Sequence, residues 1–127
     1  MEKLKIKLLD GTYAVCQMEN VEKVPSWVEE KGFFSVTKTE DEISVVMFQD
    51  KISKDIKAEK DWRILKVEGT LDFSLIGILA KISSVLAENQ ISIFVISTFN
   101  TDYILVKEEK IEKAMAVLNL EGYEIKR

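Results

Sequence analysis

The stretch Glu68-Gly69-Thr70-Leu71-Asp72-Phe73-Ser74-Leu75-Ile76-Gly77-Ile78-Leu79 joins an apolar run to an amphipathic one, so it reads as a strand, a loop and the start of a helix. A helix start presents free backbone N–H groups and the positive end of a dipole, which together favour a carboxylate or a phosphate. Phe73, Ser74 and Leu75 are placed to supply those groups, with Leu71 and Ile76 flanking them. Asp72 beside them has the opposite preference and suits an ammonium. An anion seat next to a carboxylate is the electrostatic outline of a free amino acid's backbone. The same residues also fit a simpler role, with Asp72 or Ser74 as an ordinary N-cap.

Gly77 falls in the first turn of the expected helix, where glycine costs about 1 kcal/mol relative to alanine. Either a ligand or another chain approaches it closely, or the glycine is merely tolerated. A third polar segment is Ile96-Ser97-Thr98-Phe99-Asn100-Thr101-Asp102-Tyr103. Ser97, Thr98 and exposed strand backbone offer hydrogen bonds to a small polar ligand, and Asp102 offers a partner for a cation. The alternative for Thr101 and Asp102 is a polar hairpin turn. This tip is expected at the opposite edge from the loop at residue 70, so that a neighbouring module would have to bring the two together.

The elements that would hold these residues follow from periodicity. Leu4, Ile6 and Leu8 alternate with lysines, and Asp10-Gly11 then predicts a tight hairpin into Tyr13, Val15 and Gln17. Pro25 opens a short helix closed by Gly32. Strands follow over 33–39 and 43–48, and residues 50–60 read as a short helix or a linker. In the second half Trp62 to Val67 is a strand. Leu75, Ile78, Leu79, Ile82, Val85 and Leu86 make one face of a helix over Ser74–Asn89. Strands over 91–99 and 102–106, a helix bearing Ile111, Ala114, Met115 and Leu118, and a last strand over 123–126 complete a β-α-β-β-α-β order. That order gives an antiparallel sheet with both helices on one face, the ferredoxin-like arrangement.

The halves look duplicated. The segment from Val36 to Val46 resembles that from Val95 to Val106, at an offset of 59 before the turn and, with one residue added, 60 after it. The first half matches the same unit circularly shifted if the strand over 4–9 takes its fourth-strand place. Phe94 and Ile96 point away from the face that helices can cover, and such an apolar face calls for a second copy of the chain.

Composition excludes much chemistry. The chain has 127 residues, no histidine, one cysteine and a net charge of −4. Neither a Ser-His nor a Cys-His dyad can form, and no His-ligated or multi-Cys metal site is expected. No cofactor motif is present: GTLDFSLIG lacks P-loop spacing and nothing matches G-x-G-x-x-G. The acidic balance disfavours nucleic acid, including a ferredoxin-like RNA platform. No run is long enough to span a membrane, and MEKLKIKLLD lacks the apolar core of a signal peptide, so a cytoplasmic protein is expected. Cys16 reads as a small packing residue.

Residues 62–80, then Ile91 to Ser97 and the run from Thr98 to Glu108, resemble the small standalone tandem ACT-domain proteins. LDFSLIGILA and ISTFNTDYILV are the most specific pieces. The family is similar to the regulatory ACT domains of aspartate kinases and to the cytosolic arginine sensors of animals. The resemblance implies an α+β fold of two ACT modules, 1–60 and 61–127, side by side with a continuous antiparallel sheet. It implies a non-enzymatic regulatory role, an amino acid ligand at the module interface and a further protein that responds to the bound state. Carried onto this chain, Leu71 to Ile76 become the loop leading into the helix, Ser97 and Thr98 contact the ligand backbone, and Phe99 and Asp102 surround its side chain. Many relatives have Pro where Thr70 stands and Gly where Asp61 stands. The competing reading is a ligand-independent assembly or partner-binding module.

Overall fold

A computed structural model describes residues 4–19, 32–68 and 77–127. Its elements run β1 (Lys5–Leu8), β2 (Tyr13–Met18), β3 (Ser35–Lys38), β4 (Ile43–Phe48), a 3-10 turn (Gln49–Lys51) and β5 (Lys57–Glu68). They continue with α1 (Ile78–Glu88), β6 (Ile93–Ser97), β7 (Asp102–Lys107), α2 (Glu108–Leu120) and β8 (Glu124–Lys126). The short helix expected after Pro25 lies outside the described residues.

The chain divides into two compact units, Gly11–Trp62 and a second made of Met1–Asp10 with Arg63–Arg127. The N-terminal strand therefore belongs with the C-terminal core, which corrects its placement in the first module's fourth-strand position. The reason lies in its alternation. Ile6 is fully buried, and Leu4 and Leu8 pack against the same core as Leu65, Val67, Ile82 and Leu118. In this larger unit the strand order is β8-β1-β5-β7-β6. β1 pairs antiparallel with β5, Ile6 opposite Val67, and parallel with β8, Ile6 opposite Ile125. One pair is thus parallel where an antiparallel sheet was expected, because β1 intervenes between β5 and the closing strand β8.

Both helices cover one side of these strands. α1 contributes Ile82, Val85 and Leu86 and α2 contributes Ile111, Ala114, Met115 and Leu118, all buried with Ile104 and Val106 of β7. Each such aliphatic side chain removed from water contributes roughly 1.5–3 kcal/mol. The ferredoxin-like helix and strand order read from periodicity is the one observed.

The smaller unit has the order β3-β4-β2-β5, using the first part of β5. Ala14, Cys16, Met18, Ile43, Val45 and Met47 form its core. On its other side Tyr13 stacks on Phe48 at 4.7 Å and meets Phe33 edge-on at 6.2 Å. The linker or helix expected over 50–60 is instead largely strand from Lys57 onward. Its exposed, charged residues carry no alternation, and pairing with β2, Gln17 opposite Lys57, supplies the order that periodicity lacks. Asp61 interrupts this pairing with φ +69. The Gln49 amide holds it from both sides, accepting from its backbone N–H and donating to its carboxylate at 2.9 Å. A left-handed residue here is what glycine satisfies without strain, and Gln49 offsets the cost for aspartate.

Candidate functional site

The β6–β7 hairpin closes at the pair Ser97–Asp102. Within its turn the Thr98 N–H donates to the Thr101 carbonyl at 2.8 Å, and the Thr98 hydroxyl donates to the same oxygen at 3.1 Å. The Thr101 N–H reaches back to the Thr98 hydroxyl at 3.4 Å. Ser97 donates to the Asp102 carboxylate at 2.5 Å, which fixes one carboxylate oxygen and leaves the other for an external donor. Phe99 stands at the tip with 90% of its surface exposed, the most exposed large apolar side chain among the described residues.

Thr101 points the other way. It is 5% exposed, and its hydroxyl donates to the Val67 carbonyl at 2.6 Å. Val67 is the penultimate residue of β5, so the hairpin tip sits at the end of β5 from which the chain continues into residue 69. This corrects the expectation that tip and loop lie at opposite edges. In a β-α-β crossover the two strands run the same way, so their far ends meet at one edge.

Leu71, Asp72, Phe73, Ser74, Leu75 and Ile76 lie outside the described residues. Gly77 is described. It has φ +84 and stands as the N-cap of α1, before the helix rather than in its first turn. Its positive φ is one that glycine adopts without strain, and a Cβ built on it meets nothing within 4 Å among the described residues. The Lys81 N–H donates to the Gly77 carbonyl at 2.9 Å, and the N–H groups of Ile78, Leu79 and Ala80 precede the first intrahelical bond.

Two features escaped the sequence reading. Thr101 looked like one more polar turn residue, although its position directly before the apolar run of β7 was a usable signal. The second is a cleft of about 810 Å³ in the smaller unit, at the end of β2 beside the β3–β4 turn, with Met18 and Ile43 among its apolar residues and Lys38, Glu40 and Lys57 among its charged ones. That turn repeats the β6–β7 turn: the Thr39 N–H donates to Glu42 at 2.9 Å, as Thr98 does to Thr101. Lys38–Ile43 and Ser97–Asp102 close the two turns, so the offset stays at 59 on both sides. No residue is inserted, contrary to the expected shift to 60.

A family model described as an ACT domain matches residues 57–119, and a separate model of an N-terminal domain matches 11–55. Residues 57–119 belong to the ACT-domain family. Over 94 residues it is 37% identical to the human cytosolic arginine sensor for mTORC1 subunit 1, covering 68% of this chain and 29% of the sensor. The chain thus spans about three tenths of the curated relatives it matches. A crystal structure of an Agrobacterium tumefaciens protein superposes with a TM-score of 0.89 at 34% identity, covering 98% of this chain and 93% of the other. The ligand-free regulatory subunit of aspartate kinase from Thermus thermophilus gives 0.61 at 14% identity, covering 94% and 98%, and shows the shared fold.

Burial pushes the Cys16 thiol up, and nearby Lys60 only partly opposes that, so the thiolate is disfavoured. Among the described residues no three His, Cys, Asp or Glu side chains are grouped to hold a metal, and no helix is long and apolar enough to cross a membrane.

Proposed function

We propose that this ACT chain is a non-enzymatic regulatory module that binds a free amino acid, with a basic one, arginine, as its ligand. The observation that carries the reading is the 2.6 Å bond from Thr101 to Val67, which brings the Ser97–Asp102 hairpin to the end of β5 from which Leu71–Ile76 follow. The free oxygen of Asp102 suits a guanidinium, and the exposed ring of Phe99 suits the same cation through its π face. Asp72 takes the ammonium, and Ser97 and Thr98 contact the ligand backbone. The 37% identity to a protein named as an arginine sensor supports that choice of side chain. A protein that responds to the bound state is the downstream partner.

A thermal-shift screen of the twenty amino acids tests this. A ligand that binds only the folded state adds about 2.7 kcal/mol at a hundred times its dissociation constant. Arginine is expected to raise the melting temperature, and Asp72→Ala or Asp102→Asn to remove the rise. A flat profile at millimolar arginine and every other amino acid overturns the proposal.

One observation favours a second reading, assembly with another copy. Among the described strands β6 pairs only with β7, leaving an edge bearing the half-buried Phe94 and Ile96. Sedimentation of the purified chain distinguishes the two: an oligomer indifferent to every amino acid supports assembly alone.

A further inference from the structure

We propose that Thr101 is the positioning residue of the ligand site, resting on the amino-acid-binding reading above: its hydroxyl fixes where the Ser97–Asp102 tip stands against the end of β5. The tip carries the groups assigned to the ligand, Ser97, Thr98, Phe99 and Asp102, and Thr101 itself touches none of it. Its hydroxyl spans 34 residues of sequence to Val67, two positions before the Gly69–Ile76 segment.

The chain contains its own control. The turn Thr39–Glu42 repeats the turn Thr98–Thr101 with the same bonds: Thr39 donates its N–H to the Glu42 carbonyl at 2.9 Å, and the Glu42 N–H reaches the Thr39 hydroxyl at 3.1 Å. Glu42 occupies the position of Thr101 there and is exposed. The turn therefore forms without a buried hydroxyl at its last residue. Thr101 is the one buried polar side chain among the described residues, and what it adds is the tie to β5 rather than the turn itself. Buried polar groups carry a desolvation penalty unless bonded, and the Thr101 hydroxyl is bonded to Val67. Its acceptor is the carbonyl of Val67, the penultimate residue of β5. A displacement of about 1 Å at a site of this kind is enough to disturb binding.

The test is calorimetric titration of L-arginine into the whole chain and into Thr101→Val and Thr101→Ser, at a temperature where melting curves show all three folded. Thr101→Val keeps the shape and removes the donor, so its dissociation constant should rise tenfold or more. Thr101→Ser keeps the donor and should stay within about threefold of wild type. Rescue by serine separates positioning from mere stability, because a purely structural role lowers the melting temperature of the valine variant without moving its affinity. If Thr101→Val fails to fold, Thr101→Cys takes its place, and its affinity must fall between the serine variant and a tenfold loss. Wild-type affinity in a folded valine or cysteine variant overturns the proposal while the ligand reading stands. Failure of wild type to bind L-arginine overturns the arginine reading and this proposal with it.

Discussion

The Thr101 hydroxyl and the Val67 carbonyl meet at 2.6 Å inside the larger unit, joining the turn of one hairpin to the end of a strand 34 residues earlier. Water does not reach this pair, so removal of the donor strands a carbonyl that cannot be rehydrated without opening the edge of the sheet. Leaving one such group unsatisfied costs about 1–3 kcal/mol. Urea denaturation should show Thr101→Val destabilised by that amount, and Thr101→Ser by less than about 1 kcal/mol. Equal midpoints for valine and wild type would mean that the bond contributes nothing to folding.

β1 is held by the C-terminal core, and Ile6 is the residue that commits it there. It is fully buried between Val67 of β5 and Ile125 of β8. Ile6→Ala should cost about 2–5 kcal/mol, the transfer term plus the cavity it leaves. Hydrogen exchange should quicken in β5 from Arg63 onward and in β7 and α2. Faster exchange confined to β2 and β4 would instead place the N-terminal strand with the smaller unit.

Periodicity made most of the larger unit legible. The face Ile78, Leu79, Ile82, Val85 and Leu86 predicts α1 because a helix must bury a stripe, and the structure buries that stripe. It could not show where α1 begins, since Gly77 reads as a helical residue until its φ of +84 is known. Nor could it fix the repeat register: Val45–Phe48 and Tyr103–Val106 are apolar at successive positions, so a one-residue slip leaves the pattern almost unchanged. The strand at 57–61 was hidden because its order comes from β2 and not from its own residues. Of the candidate site, Ser97, Thr98 and Asp102 were recognisable by chemical type. Thr101 was not, because a hydroxyl that faces inward and one that faces water are the same letter.

Gly77 and Gly32 share a left-handed backbone but differ in what surrounds them. Gly77 has φ +84 and open space where a Cβ would go among the described residues, whereas Gly32 has φ +85 and the Phe48 ring at 2.1 Å. Gly77→Ala should therefore cost only the backbone term, about 1–2 kcal/mol, with Gly77→Asn milder. Gly32→Ala adds a clash with a ring already stacked on Tyr13, and should be the more destabilising of the two by at least about 1 kcal/mol. Thermal melts of the three variants check the order.

Glu112 and Arg127 join α2 to the residue after β8 through two guanidinium–carboxylate bonds of 2.6 and 3.0 Å. The bond to Arg127 holds the Glu112 carboxyl below the usual carboxylate range, against a smaller desolvation effect in the other direction. Its folded pKa is depressed, so its contribution to stability is complete above the unfolded carboxyl value and disappears as pH falls through the folded one. The pair is fully solvent-exposed, which keeps the effect on melting small and sensitive to salt. Carbonyl-detected NMR titration should find Glu112 protonating below the usual carboxylate range, and Arg127→Gln should return it to that range. A Glu112 titration unchanged by Arg127→Gln would mean the fork does not persist in solution.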